Sequence, residues 1–411
     1  MANSTSGQSP QLPLAMRILN RIGRFLSARF ALMRFEPQAL MARAMRKTGL
    51  RDFAPDADFD EGLSVLCQSL EQDVRPSLLG RIFLHDILLR VLSNRLLLVH
   101  WRKEKPERFQ QPLLAPLIVV GMPRSGTTFL HRLLALAPGA RALKMWELQR
   151  PLPPRGLDIR RGLALYGMAV LRWVAVDLDR KHFTSADSVE ECLFLLDSSM
   201  VSLTYWVHSA AYQYLYWFLA RDKKPSYELY RQHLSWLQGD TPNARLTLKA
   251  PVHTGCLDAL KAAVPNAMIV QTHRDPGVVV PSLNSLLLTM HRTMVESAYD
   301  LDIKRIAKAN TDSLVQMECH SQQVREQLPP GSVFDVQYPE LCRDPIGTVR
   351  SIYQHFGLEF TAEYEAILQQ AIRTDRHEDL GKHRYSAEDF GQNADELRQL
   401  FAGLKADKPK P

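Results

Sequence analysis

The chain is predicted to adopt an α/β fold in which a parallel sheet is flanked by helices, preceded by a helical N-terminal extension. Two observations carry this prediction. Four short, β-rich apolar runs, 117–120, 246–248, 267–270 and 333–336, are each followed by turn or helix signals, the pattern of strands buried on both faces of a helix-covered sheet. The first run also leads through a tight loop, Gly-Met-Pro-Arg-Ser-Gly-Thr-Thr (121–128), into Phe129, Leu130, Leu133, Leu134 and Leu136 at helical spacing. A helix opening directly on a loop presents unbonded N–H groups and the positive end of its dipole, so this junction is an anion cradle.

Ahead of the first strand the chain reads as helical. Residues 1–13 are polar, contain Pro10 and Pro13, and are expected to be a disordered tail. From Leu14 to Phe35 a helix is expected, with Ile18, Ile22, Phe25, Leu26 and Met33 on one side and Arg17, Arg21 and Arg24 on the other. Such a helix either lies on an anionic bilayer as a peripheral anchor or packs on the protein or on a second copy in a homodimer, and packing is the expected role. Leu63, Leu66, Cys67 and Leu70 form one apolar stripe, and Leu79, Phe83, Ile87 and Val91 a second. The polar segment 102–112 then closes a helical region, 14–110, before the main domain at 111–401. Residues 162–178 are apolar but short and interrupted by Arg172, as in a helix of a soluble protein, and 402–411 should form a loose tail.

Charge removes one class of partner. The formal net charge of +7 would suggest nucleic acid, but residues 1–50 hold eight Lys and Arg against Glu36 alone, leaving 43 basic and 43 acidic residues in the remainder. Five cysteines without metal-ligand spacing, and no signal peptide, fit free thiols in a reducing cytoplasm, with no metal site expected.

The cradle loop keeps the Gly121-to-Gly126 spacing of a nucleotide-binding P-loop, yet Thr127 stands where the phosphate-binding Lys belongs. A kinase-like phosphotransferase would need that Lys. Arg124 offers a rigid guanidinium fork to an oxyanion instead. With these letters the loop resembles that of the sulfotransferase superfamily, PxSGT[TS], which binds the 5′-phosphosulfate of 3′-phosphoadenosine-5′-phosphosulfate (PAPS). The resemblance implies a P-loop-like sulfotransferase fold and a donor held by Arg124, Ser125, Gly126, Thr127 and Thr128.

The third apolar run ends in His273, Arg274 and Asp275, and Ser282 follows eight residues after Arg274. This pair resembles the superfamily's 3′-phosphate motif; the plain alternatives are an Arg274–Asp275 ion pair and an N-cap role for Ser282. Similarity to bacterial members extends to Trp146-Glu147-Leu148, to 249–253 (LKxPxH-like), to 272–276 (THRDP) and to 385–391 (YxxxDFG), and so spans about residues 40–401. Tyr338 resembles the tyrosine placed near adenine, whereas Gln392 departs from the usual Leu.

The resemblance implies sulfuryl transfer from PAPS to a hydroxyl or amine acceptor, with catalysis by positioning and electrostatics and no obligatory metal. Lys249 is the expected cation beside the departing oxygen, after Arg124 in the loop. Glu147 is the first candidate for the base, Glu191 the second and His253 the third. The aromatic segment 205–218 suits either the core or an apolar pocket for a small or lipid-like acceptor. A non-catalytic PAPS-binding protein would keep Arg274 and Ser282 but could dispense with Lys249 and Glu147.

Overall fold

The computed structural model describes residues 33–174, 185–295, 301–374 and 386–406. Its centre is a five-stranded, all-parallel sheet in the order β2-β3-β1-β4-β5, with β1 Leu117–Gly121, β2 Ala140–Ala142, β3 Arg245–Lys249, β4 Met268–His273 and β5 Val333–Gln337. Four strands fall on the four apolar runs. The edge strand β2 is only three residues, Ala-Arg-Ala, and half-buried throughout, so it lacks the apolar signature that marks a central strand.

Strand order positions the site. β1 pairs with β3 on one side (Val119 opposite Lys249) and β4 on the other (Gly121 opposite Thr272). The loop after β1 is therefore flanked by the carboxyl ends of β3 and β4, where ligands bind in open parallel sheets.

The N-terminal helices belong to the same core as the sheet. Helix Ala57–Ser69 is capped by Asp56, whose carboxylate accepts the Phe59 N–H at 3.2 Å, and helix Leu78–Glu104 by Ser77, whose Oγ accepts the Gly80 N–H at 3.1 Å. Leu63, Leu66, Cys67 and Leu70 are all buried as expected. The second stripe is different: Ile87 and Val91 are buried, Leu79 and Phe83 only half-buried, and Leu84, Leu88, Leu92 and Leu96 also lie inside. This long helix is enclosed on most sides, which erases a one-face pattern. Its side chains join Ile118, Leu246 and Ile269 of the sheet in one apolar cluster.

The polar segment 102–112 contains the helix end at Glu104 and a short helix, Pro106–Gln110. The aromatic segment is largely core, with Tyr205, Trp206, Tyr212, Tyr214 and Phe218 buried and Tyr216 exposed. Helix Ala394–Ala406 runs past residue 402, where a loose tail was expected to start. The tail 1–13, most of the basic amphipathic helix and Tyr385 lie outside the described residues. Among the described residues no helix is long and apolar enough to cross a membrane.

Candidate active site

The loop after β1 is built to hold a sharp reversal. Gly121 has φ 129° and a Cβ there would meet Thr272, while Gly126 has φ 93° and a Cβ there would come within 2.7 Å of the Tyr338 ring. Both positions need glycine for conformation and for space. Arg124 also adopts a left-handed conformation, φ 69°, a strain of roughly 1–3 kcal/mol that the surrounding contacts must offset. The Gly121 N–H donates to Thr254 Oγ1 at 2.8 Å, tying the loop to the turn after β3.

Ser125 works inside the loop. Fully buried, its hydroxyl donates to Met122 O at 2.6 Å and lies 2.6 Å from Thr272 Oγ1. Its N–H also closes on Met122 O. The groups left to an anion are at the start of helix Thr127–Ala135: the first N–H with an intrahelical acceptor in this turn is that of Leu130, to Gly126 O, so those of Gly126, Thr127, Thr128 and Phe129 have none.

The expected cofactor residues converge on Arg124. Its Nε donates to Ser282 Oγ at 3.1 Å, and its carbonyl accepts Arg274 Nη1 at 2.9 Å. The Arg274 guanidinium stands 4.0 Å from the centre of the Tyr338 ring, a cation–π contact that holds it flat. Thus residues from after β1, β4 and β5 meet in one place. Neither plain alternative holds: Asp275 pairs with Arg398 (Nη2–Oδ2 2.8 Å) and caps Gly277 N, while Ser282 lies well inside helix Pro276–Met294. His273 faces the other way, 2.6 Å from Asp335.

On the opposite side of the loop, Lys249 Nζ lies 3.2 Å from Thr128 Oγ1 and 2.7 Å from Glu191 Oε1. The lysine is 1% exposed and the glutamate 25% exposed, so the cation is buried and the carboxylate is the more accessible member of the pair. His131, behind Lys249, donates Nε2–H to Thr247 O at 3.0 Å; burial, with Lys249 adding to it, lowers its pKa to about 4 and keeps it neutral.

His253 is buried beneath this pair. Tyr227 Oη is 2.6 Å from Nδ1 and Cys192 Sγ 3.3 Å from Nε2, and Cys192 donates its S–H to Lys249 O at 3.4 Å. Tyr230 adds an O–H to the same sulfur at 3.3 Å. Burial lowers the His253 pKa to about 3 and raises that of Cys192 to about 12. The tyrosine–histidine–cysteine chain is neutral and fixes the backbone of Lys249 and of Glu191, the residue before Cys192. The histidine motif was legible; the partners Tyr227, Tyr230 and Cys192 carry no sequence signal that links them to it.

Glu147 occupies a different environment. Its Oε1 accepts Arg141 Nη2 at 2.8 Å and its Oε2 accepts the Lys144 N–H at 2.9 Å, so the carboxylate caps its own short helix, Met145–Gln149, and pairs with strand β2. Arg141, its partner, sits in the strand that the apolar pattern missed.

A profile of the sulfotransferase family matches residues 116–362. Over 252 residues the chain is 27% identical to the omega-hydroxy-beta-dihydromenaquinone-9 sulfotransferases Stf3 of Mycobacterium bovis and Mycobacterium tuberculosis; the match covers 59% of this chain and spans 63% of the length of those curated relatives. Among solved structures, sulfotransferase STF9 from Mycobacterium avium superimposes with a TM-score of 0.79 at 26% identity, covering 91% of this chain and 97% of that one. Sulfotransferase STF1 from Mycobacterium tuberculosis superimposes with a TM-score of 0.72 at 29% identity, covering 89% and 98%.

Proposed function

The chain belongs to the sulfotransferase family, and from that premise we propose that it transfers a sulfuryl group from PAPS to a hydroxyl, or an amine, on a small or lipid-like acceptor by in-line displacement. The observation that carries the proposal is the placing of Lys249, Thr128 and Glu191 on one side of the cradle loop and Arg124, Arg274, Ser282 and Tyr338 on the other. A nucleotide bearing phosphate at two ends matches a site with cations at two ends.

The residues divide the work as follows. The N–H groups at the start of helix Thr127–Ala135 would hold the 5′-phosphosulfate and Arg274 with Ser282 the 3′-phosphate. Arg124, in the loop but with its Nε on Ser282 Oγ, would stand between the two and serve the 5′ end from that side. Tyr338, already stacked on Arg274 and packed on Gly126, would border the adenine. Lys249 would neutralise charge on the departing oxygen, and these fixed cations and dipoles supply the stabilisation without a metal. Glu191, its Oε1 held by Lys249, would take the acceptor's proton on Oε2. We assign the base to Glu191 rather than Glu147 because both oxygens of Glu147 are already engaged, and rather than His253 because both its nitrogens are engaged and it is buried.

The name of the Stf3 relatives gives their acceptor as a hydroxylated dihydromenaquinone, which supports a lipid-like hydroxyl acceptor here. A cytoplasmic location suits the five free thiols. The decisive experiment incubates the protein with sulfur-labelled PAPS and a panel of lipid, phenol and amine acceptors without added metal. Label transfer to an acceptor supports the reading; failure to bind 3′,5′-adenosine bisphosphate in calorimetry overturns it.

A further inference from the structure

Helix Arg160–Val174 has the composition of a buried helix and the position of a surface one. Between Arg161 and Arg172 no residue is charged, yet the helix buries Ala164 and Met168 while Leu163, Leu165, Tyr166 and Ala169 are exposed. At 100° per residue, Tyr166 points directly away from the buried pair, with Leu163 and Ala169 beside it. The preceding loop adds Leu157, 84% exposed, and Ile159, 51% exposed. Five of the ten exposed large apolar side chains among the described residues fall within 157–166, a concentration that marks an interaction surface rather than scatter.

Charge identifies the partner. Residues 150–172 contain five arginines and a single acid, Asp158. Asp158 and Asp187 neutralise Arg160 and Arg161, and the exposed Arg155 and Lys144 leave this edge net positive, although the chain beyond residue 50 is balanced. Arg160 pairs with Asp158 and stacks 5.1 Å from the Trp146 ring centre; Arg161 pairs with Asp187; exposed Lys144 and Arg155 complete the rim. Apolar and tyrosine side chains outward, with basic residues at the border, match the interface of an anionic bilayer.

The surface adjoins the reaction centre. Arg161 holds Asp187, and Glu191 lies four residues further on, at most about 14 Å along an extended chain. We propose that this face docks the enzyme on anionic membrane, with the helix lying in the interface plane, so that a bilayer-dissolved acceptor reaches the Lys249–Glu191 pair without leaving the lipid. The proposal rests on the sulfotransferase reading for its acceptor, though not for the docking itself.

Co-sedimentation with large unilamellar vesicles tests it, comparing pure phosphatidylcholine with a mixture containing phosphatidylglycerol. The full chain is expected to bind the anionic vesicles and to lose at least tenfold of that binding in Tyr166→Glu. The loop variant Leu157→Gln/Ile159→Gln, which disturbs no buried residue, should lose binding in the same sense. Calorimetry with 3′,5′-adenosine bisphosphate shows that each variant is folded and tests the site independently. Absence of vesicle binding with nucleotide binding retained overturns docking and leaves the sulfotransferase reading intact; vesicle binding without nucleotide binding does the reverse. Undiminished vesicle binding by both variants, or a wild-type dimer that Tyr166→Glu converts to monomer, also overturns the proposal.

Discussion

Lys249 Nζ stands 2.7 Å from Glu191 Oε1, and the two are delivered by segments 58 residues apart in the chain. Their proximity separates the roles of three candidate bases. Glu191→Gln should keep nucleotide affinity and lower kcat by roughly 10²–10⁴, the usual contribution of a general base. Steady-state kinetics with saturating PAPS checks this, and a wild-type kcat in Glu191→Gln would remove the assignment.

Glu147→Gln is expected to behave as a stability variant. Losing the charge that pairs with Arg141 and weakening the cap on Lys144 N should cost about 1–3 kcal/mol of unfolding free energy with kcat changed by less than about tenfold, the span of 1.4 kcal/mol in a barrier. Urea unfolding beside kinetics distinguishes the two effects. A collapse of kcat with unchanged stability would restore Glu147 as the base.

Arg274→Ala should weaken nucleotide affinity by roughly 2–5 kcal/mol, as loss of one partner of a buried charge contact does. Because Arg274 also holds the Arg124 carbonyl, part of that loss comes from the loop. Adenosine 5′-phosphosulfate, lacking the 3′-phosphate, should bind the wild type weakly and be nearly insensitive to Ser282→Ala. Calorimetry that finds the two nucleotides equally tight would count against the 3′-phosphate assignment.

Gly126→Ala is predicted to disrupt the cradle. The φ of 93° disfavours a side chain, and the added methyl would strike the Tyr338 ring. Nucleotide binding should fall at least tenfold, and Gly126→Ala/Tyr338→Ala, which removes the clash but also the ring that holds Arg274, should not restore it. Full binding in the single variant would mean that the loop is not the anion site.

Stability should fall on the acid side of neutrality. Burial lowers His253, His208 and His233 to about 3 and His131 and His291 to about 4, against about 6.5 when unfolded. Between those values the unfolded chain binds more protons, so unfolding free energy rises with pH up to about 6.5 and is lost as pH drops below it. Thermal unfolding should therefore be nearly flat from pH 7 to 8 and decline steeply from pH 6.5 to 5. His253→Gln should lower the midpoint at pH 7.5 and reduce the acid slope by about one proton; an unchanged slope would contradict a buried neutral imidazole there.

Local chemistry made much of this protein readable from its letters. Strands β1, β3 and β4 are apolar because they lie inside the sheet and are buried along most of their length, while edge strand β5 is legible from Val333, Phe334 and Val336 although Asp335 and Gln337 are exposed. The cradle declares itself because glycine is required at Gly121 and Gly126. The separation of Arg274 and Ser282 was legible because Arg274 directly follows strand β4 and Ser282 lies in the helix that comes next, Pro276–Met294. Short β2 escaped notice because an edge strand of three residues buries too little to impose a pattern, and the stripe Leu79, Phe83, Ile87 and Val91 marked helix Leu78–Glu104 without its full buried surface because burial on most sides leaves no single face. Which carboxylate serves Lys249 was decided only in three dimensions. Glu147, Glu191 and His253 all stand in plausible motifs, and their chemistry depends on neighbours far apart in sequence: Arg141 engages the first, Lys249 the second, and Tyr227 with Cys192 the third. A side chain's intrinsic acidity is local, but its partners are set by strand order and packing, and those partners determine whether it carries a proton, accepts one or simply holds the structure in place.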